Sequence, residues 1–108
     1  MDTKKYEVFE KTVELSSLTK AAQEMGLTQS GVSHMIAAIE AELQLPLLKR
    51  TRTGARLTPE GEKMMPHIRE IVRQEKLLRK AAAELHTLVT GKIRIGTFTS
   101  VATHWLPA

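Results

Sequence analysis

Two groups of side chains in this sequence have the types and spacing to do chemistry on a ligand. The first is Thr28-Gln29-Ser30-Gly31, continued by Ser33 and His34, where every side chain but the glycine's is a short or planar hydrogen-bonding group. The second stands further on, where Lys49, Arg50, Arg52 and Arg56 share a stretch that contains no acid. Glutamine can make two parallel hydrogen bonds to adenine, and serine can donate or accept at a base edge. Lysine and arginine neutralise phosphate oxygens. Together these are the parts of nucleic-acid recognition. Each group also has a plainer reading: polar residues at a helix start are commonly just hydrated, and a basic loop is commonly a solvated one. Lys49 and Arg50 can instead pair with acids, which leaves Arg52 and Arg56 as the stronger candidates for phosphate.

Other chemistries lack their parts. The chain has no cysteine, so no thiolate metal cage, disulfide or redox thiol is available. His34, His67, His86 and His104 share no ligand spacing and read as ordinary surface or interface histidines. No phosphate-cradling glycine loop, nucleophile elbow or pair of catalytic carboxylates is present. A binding protein is expected rather than an enzyme, with no metal and no cofactor. Sixteen basic residues against twelve acidic ones give a formal charge of +4 over 108 residues, too small by itself to mark a nucleic-acid binder. No apolar run approaches the roughly 20 residues that span a bilayer, and Met1 to Tyr6 lacks the apolar stretch of a signal peptide. The expectation is a soluble cytoplasmic protein working at the nucleoid, with no membrane partner.

The elements that must position these groups follow from periodicity. Tyr6, Phe9 and Val13 mark one face of a helix over about 3 to 15. Ser16 and Ser17 interrupt it, and Thr19 is the expected cap of a second helix that Gly26 stops. Thr28 caps a third, expected to end near Gln44, with Val32, Ile36, Ile39 and Leu43 as its inner face. That arrangement turns Gln29, Ser30, Ser33 and His34 outward, and Gly31 permits close approach. Leu45-Pro46-Leu47-Leu48 reads as a buried turn, and Lys49 to Leu57, with its threonines and Gly54, as a small hairpin. Thr58-Pro59-Glu60-Gly61-Glu62 combines a capping threonine, proline at the first helical position and acids in the first turn.

The helix opened there is expected to run to about Val89, where Thr90-Gly91 ends it, over roughly 45 Å. Along it Met64, Ile68, Ile71, Leu78, Ala82, Leu85 and Val89 keep a four-and-three spacing, broken by Glu75, which must reach solvent or a cation. Pro66 lies inside this pattern, with a kink or a lost backbone bond expected. A helix too long for so small a core, carrying such a seam, is expected to meet a second copy; the plainer reading folds it back on its own domain. Lys92 to Phe98 alternates like a strand, and a lone strand is not stable, so 91–108 reads as the first piece of a second domain. The expected fold is mainly α: a winged helix-turn-helix of three helices and a short β-hairpin over 1–58, then a long dimerising linker helix over 59–90.

Several ordered motifs carry a family resemblance. They are Ser17-Leu18-Thr19-Lys20-Ala21-Ala22, Leu27-Thr28-Gln29-Ser30-Gly31-Val32-Ser33, Ile39-Glu40-Ala41-Glu42-Leu43, Pro46-Leu47-Leu48-Lys49-Arg50 and Leu57-Thr58-Pro59-Glu60-Gly61. Over residues 3 to 90 the sequence resembles the LysR-type transcriptional regulators, and Gly91-Lys92-Ile93-Arg94-Ile95-Gly96 is similar to the opening of that family's effector-binding domain. The resemblance implies that Thr28 holds phosphate, that Gln29, Ser33 and His34 face bases, and that Arg52 in the wing reaches the minor groove or its phosphates. It implies a homodimer paired through the linker helices on an inverted repeat of double-stranded DNA. It also implies a small-molecule inducer for a full-length member with the effector domain, where Thr97, Thr99 and Ser100 would line the site. The chain departs from the pattern at Ser30-Gly31, where Pro-Ala is frequent, at His34 for arginine, at Leu48 for phenylalanine and at Gln44 for glycine.

The expected function is sequence-specific DNA binding by a dimeric transcription regulator. Thr28, Gln29, Ser30, Gly31, Ser33, His34, Arg50, Arg52 and Arg56 form the expected DNA-binding set, and Met64, Ile68, Ile71, Leu78, Ala82 and Leu85 the dimerisation set. The alternative is a protein-interaction module whose surface is the long helix.

Overall fold

Four helices and one hairpin follow in the order α1 (Lys4–Leu15), α2 (Leu18–Met25), α3 (Gln29–Leu43), β1 (Leu48–Thr51), β2 (Gly54–Leu57) and α4 (Pro59–Arg94). They are taken from a computed structural model that describes residues 3–94, with side chains to residue 88. The mainly helical, winged helix-turn-helix architecture expected from periodicity is the one observed.

Helix α1 buries Val8, Phe9 and Thr12, whereas Tyr6 and Val13 of the expected face are only half-buried at its edges. Thr12 is tolerated inside because its hydroxyl donates to the Val8 carbonyl at 2.8 Å. Ser16 ends α1 in the left-handed conformation, φ 54°. The next residue is thereby placed to cap α2, and it is the Ser17 side chain, not that of Thr19, that accepts the Lys20 N–H at 3.1 Å. Thr19 instead lies within the helix. Gly26, φ 67°, terminates α2 as expected. Thr28 then caps α3 by accepting the Gly31 N–H at 3.0 Å.

Val32, Ile36 and Ile39 of α3 are buried. Leu43, expected on the same face, is 40% exposed because the helix ends with it. Gln44 takes the left-handed conformation, φ 56°, that a glycine would adopt there more readily. Leu47, in the expected buried turn, is fully enclosed. Its carbonyl accepts the Thr58 N–H at 3.0 Å, and Thr58 caps α4 by accepting from Gly61 at 2.9 Å. Gly61 rests against that same carbonyl: a Cβ there would lie 2.2 Å from the Leu47 oxygen. The close seat brings Met65, Ile68 and Val72 into the core, and a compact unit ends at Gln74.

Three readings of the C-terminal part are corrected. Ile68 is only 3% exposed and is spent in the core of its own unit rather than left for a seam, with Met64 half-buried beside it. Thr90-Gly91 does not stop α4, which continues to Arg94 and contains Pro66 within its span. One glycine in a helix costs about 1 kcal/mol relative to alanine, which is not enough to end it. Lys92, Ile93 and Arg94 are accordingly helical and not the start of a strand; the remainder of that expected strand, with Thr97, Thr99, Ser100 and His104, lies outside the described residues. Among the described residues no helix is long and apolar enough to cross a membrane.

Candidate nucleic-acid interface

The start of α3 presents its polar edge to solvent. Thr28, Gln29, Ser30 and His34 are exposed, and Ser33 and Gly31 are half-buried. The capping bond uses Thr28 Oγ1 as an acceptor, so its hydrogen stays free to donate; Ser30 Oγ lies 3.4 Å away. The first N–H groups of any α-helix lack intrahelical partners and, with the dipole, favour an anion. Gly31 has a local reason as well, since a Cβ there would stand 3.0 Å from the capping oxygen.

The hairpin sorts its cations by register. Leu48 pairs with Leu57, Lys49 with Arg56, Arg50 with Ala55 and Thr51 with Gly54, leaving Arg52 and Thr53 as the two-residue tip. Side chains directly opposite share a face, so Leu48, Arg50, buried Ala55 and Leu57 form the inner face. Lys49 and Arg56 are neighbours on the outer one. Like charges opposite each other weaken a strand pair, and here no acid relieves them: among the described residues Lys49, Arg50, Arg52 and Arg56 form no ion pair. By contrast Lys11 of α1 is held by Glu14 of the same helix and Glu24 of α2. Its pKa is raised, first by the hydrogen bond to Glu14 and then by the charges of Glu14 and Glu24.

Arg50 does not pair with an acid, as one reading allowed; its Nη2 donates to Ser33 Oγ and ties the wing to α3. Gly54 sets the other side. With φ 150° its missing Cβ would lie 2.1 Å from the Ser16 carbonyl oxygen, the same oxygen that accepts the Ala55 N–H at 3.0 Å. Glu40 is a positioning residue the sequence reading passed over. One carboxylate oxygen accepts from Leu47 N–H at 2.7 Å and from Leu48 N–H at 3.0 Å, pinning the root of β1 to α3.

Residues 3–62 match the family described as bacterial regulatory helix-turn-helix protein, lysR family. The chain belongs to that LysR family. It is 42% identical over 101 residues to the HTH-type transcriptional regulator YvbU of Bacillus subtilis (strain 168), covering 93% of this chain and 35% of that protein. The chain thus spans about a third of the length of the curated relatives it matches. Among solved structures it is similar to a LysR family transcriptional regulator at TM-score 0.72 and 30% identity, covering 79% of this chain and 29% of that one. It is also similar to the BenM DBD in the crystal structure of its complex with catB site 1 DNA, at TM-score 0.71 and 26% identity, covering 80% of this chain and 96% of that one.

In this LysR-family chain the structure brings Ser33 of α3 and Arg50 together, while Arg52 occupies the hairpin tip and Arg56 the outer strand face. Of the residues read as a dimer seam, Ile71, Leu78, Ala82 and Leu85 are exposed, with Leu78 at 53% and Leu85 at 57%. Leu77 and Leu88, absent from that reading, are exposed to 46% and 54% and widen the apolar stripe on one side. Glu75, expected to reach solvent or a cation, pairs with Arg79 at 2.7 Å. Among the described residues no three acidic or histidine groups converge as a metal site.

Proposed function

We propose that this LysR-family chain is the DNA-reading part of a dimeric transcription regulator that works by binding and not by catalysis. The observation that carries this reading is the placement of four cations without acidic partners beside an outward polar helix start. Helix α3 enters the major groove, where Gln29, Ser33 and His34 face base edges, and Thr28 with the first-turn N–H groups holds a phosphate. Arg52 at the wing tip and Arg56 on its outer face grip the flanking backbone or minor groove. The exposed leucines of α4 meet their counterparts in a second copy, which sets two recognition helices about one DNA turn apart, or a multiple of it, on an inverted repeat. A longer protein with the family's effector domain would respond to a small-molecule inducer and act at the nucleoid in the cytoplasm. A bare protein-interaction module would use those leucines but would leave the wing's uncompensated charge without a role.

The test is selection of bound sites from random duplexes, followed by affinity measured against salt. Arg52→Ala is expected to weaken all sequences alike and to reduce the salt slope by about one. Gln29→Ala is expected to relax preference at one base pair in each half-site by about 1–3 kcal/mol. Recovery of no two-fold symmetric site, or equal behaviour of the two variants, refutes the proposal.

A further inference from the structure

We infer that Arg50 determines which kind of base edge Ser33 reads, acting as a positioning residue and not primarily as a phosphate contact; this rests on the DNA-reading function proposed above. Strand register puts Arg50 on the hairpin's inner face, opposite buried Ala55 and away from the face shared by Lys49 and Arg56. Its guanidinium donates to Ser33 Oγ. The two residues wall a crevice of about 80 Å³ between α3 and β1, with Ala37, Glu40 and Leu48 further along it. At that far end Glu40 holds the Leu47 and Leu48 N–H groups, so the strand carrying Arg50 is fixed to the helix carrying Ser33. The guanidinium forms no ion pair with a carboxylate among the described residues, so its hydrogen bond to the serine does not compete with a salt bridge.

A serine hydroxyl has one hydrogen and two lone pairs, and a guanidinium can only donate. The Arg50 bond therefore occupies a lone pair of Ser33 and leaves the hydroxyl hydrogen to point elsewhere. The adjacent positive charge draws electron density from the oxygen and strengthens its O–H as a donor. It also opposes the approach of the partial positive hydrogens of an amino group. An unconstrained serine accepts from or donates to any base; Ser33 beside Arg50 is set to donate. In the major groove that selects the acceptors, guanine O6 and N7 or thymine O4, against the amino groups of cytosine and adenine.

The inference is tested by site selection from random duplexes, with affinity measured against salt, for the wild-type chain, Ser33→Ala, Arg50→Met and the double variant. The expected result is one position per half-site with an acceptor preference that Ser33→Ala flattens by about five- to tenfold. Arg50→Met flattens the same position, and the double variant adds nothing. Arg50→Lys, which keeps a donor cation, and Ser33→Thr, which keeps the hydroxyl, retain most of the preference, so the outcome stays readable if Arg50→Met lowers stability. Retention of full preference by Arg50→Met, with a uniformly lower affinity and a shallower salt slope, overturns the inference and makes Arg50 a phosphate anchor. A Ser33-dependent position that prefers an amino group overturns it equally. Failure of the wild-type chain to select any symmetric site is a different result, which sinks the function reading itself.

Discussion

Replacing Glu40 with alanine removes the acceptor that joins the root of the wing to α3. A single oxygen takes two backbone donors there, Leu47 N–H at 2.7 Å and Leu48 N–H at 3.0 Å. A hydrogen bond to a charged group contributes about 1.5–3 kcal/mol. Glu40 is half-buried, and water recovers part of that value, so the lower end applies to each bond. Alanine is then expected to cost about 2–4 kcal/mol, much of it from the Leu47 N–H, because Leu47 is fully enclosed and hydrates poorly. Glutamine discriminates further. Both bonds use the same oxygen, and an amide oxygen can accept both without the charge, so Glu40→Gln is expected to cost about half as much. Urea unfolding followed by circular dichroism measures this directly: the midpoint falls while the slope stays constant, since the exposed area hardly changes. In a domain of this size each kcal/mol lowers the melting temperature by about 4–8 °C, so the alanine variant is expected to melt at least 8 °C early. An alanine variant within about 0.5 kcal/mol of the parent refutes the reasoning, as does a glutamine variant as damaged as the alanine one.

Gly54→Ala is expected to cost about 2–4 kcal/mol, since it adds a methyl 2.1 Å from the Ser16 carbonyl oxygen at a φ of 150°; a melting curve superimposable on the parent's contradicts this. Ile68→Ala and Leu78→Ala are expected to separate the two uses of α4. The first empties a core site and costs about 2–5 kcal/mol of unfolding free energy. The second leaves the unfolding of the compact unit unchanged and raises the dimer dissociation constant measured by sedimentation. A Leu78→Ala variant that self-associates like the parent argues against the exposed stripe as the interface.

The polar start of α3 and the hairpin were legible because neighbouring residues settle them. Gly26 takes the left-handed conformation, Thr28 caps three residues ahead, and Gly54 closes the two-residue turn. The cap of α2 was less legible, since Ser16, Ser17 and Thr19 all carry a suitable oxygen. Ser17 takes the role because Ser16 has already turned left-handed to end α1. In α4 the ambiguity lies in register. Met64, Met65, Ile68, Ile71 and Val72 support two apolar stripes that share Ile68. The core takes Gly61, Met65, Ile68 and Val72, because Gly61 alone lets the helix close on the Leu47 carbonyl. Glu40 could not be read as an anchor from its own surroundings, where it resembles any helical surface charge. Its partners are two N–H groups seven and eight residues later, released by a turn whose path only the folded chain defines.

These assignments give α3 three distinct duties on three sides. Val32, Ile36 and Ile39 fix the helix in the core, Gln29, Ser30 and His34 stand in solvent, and Ser33 and Glu40 engage the strand of the wing. The core side sets where the helix lies, and nothing in the hairpin touches Gln29 or His34 by hydrogen bond or ion pair among the described residues. Ser33 alone among the outward set shares a hydrogen bond with the wing. If the wing grips DNA as proposed, its one hydrogen-bonded route to the outward set runs through the Ser33 hydroxyl. On the proposed function two kinds of recognition are separated in this way: a Gln29 contact would depend on core packing, whereas a Ser33 contact would depend on how the hairpin is seated.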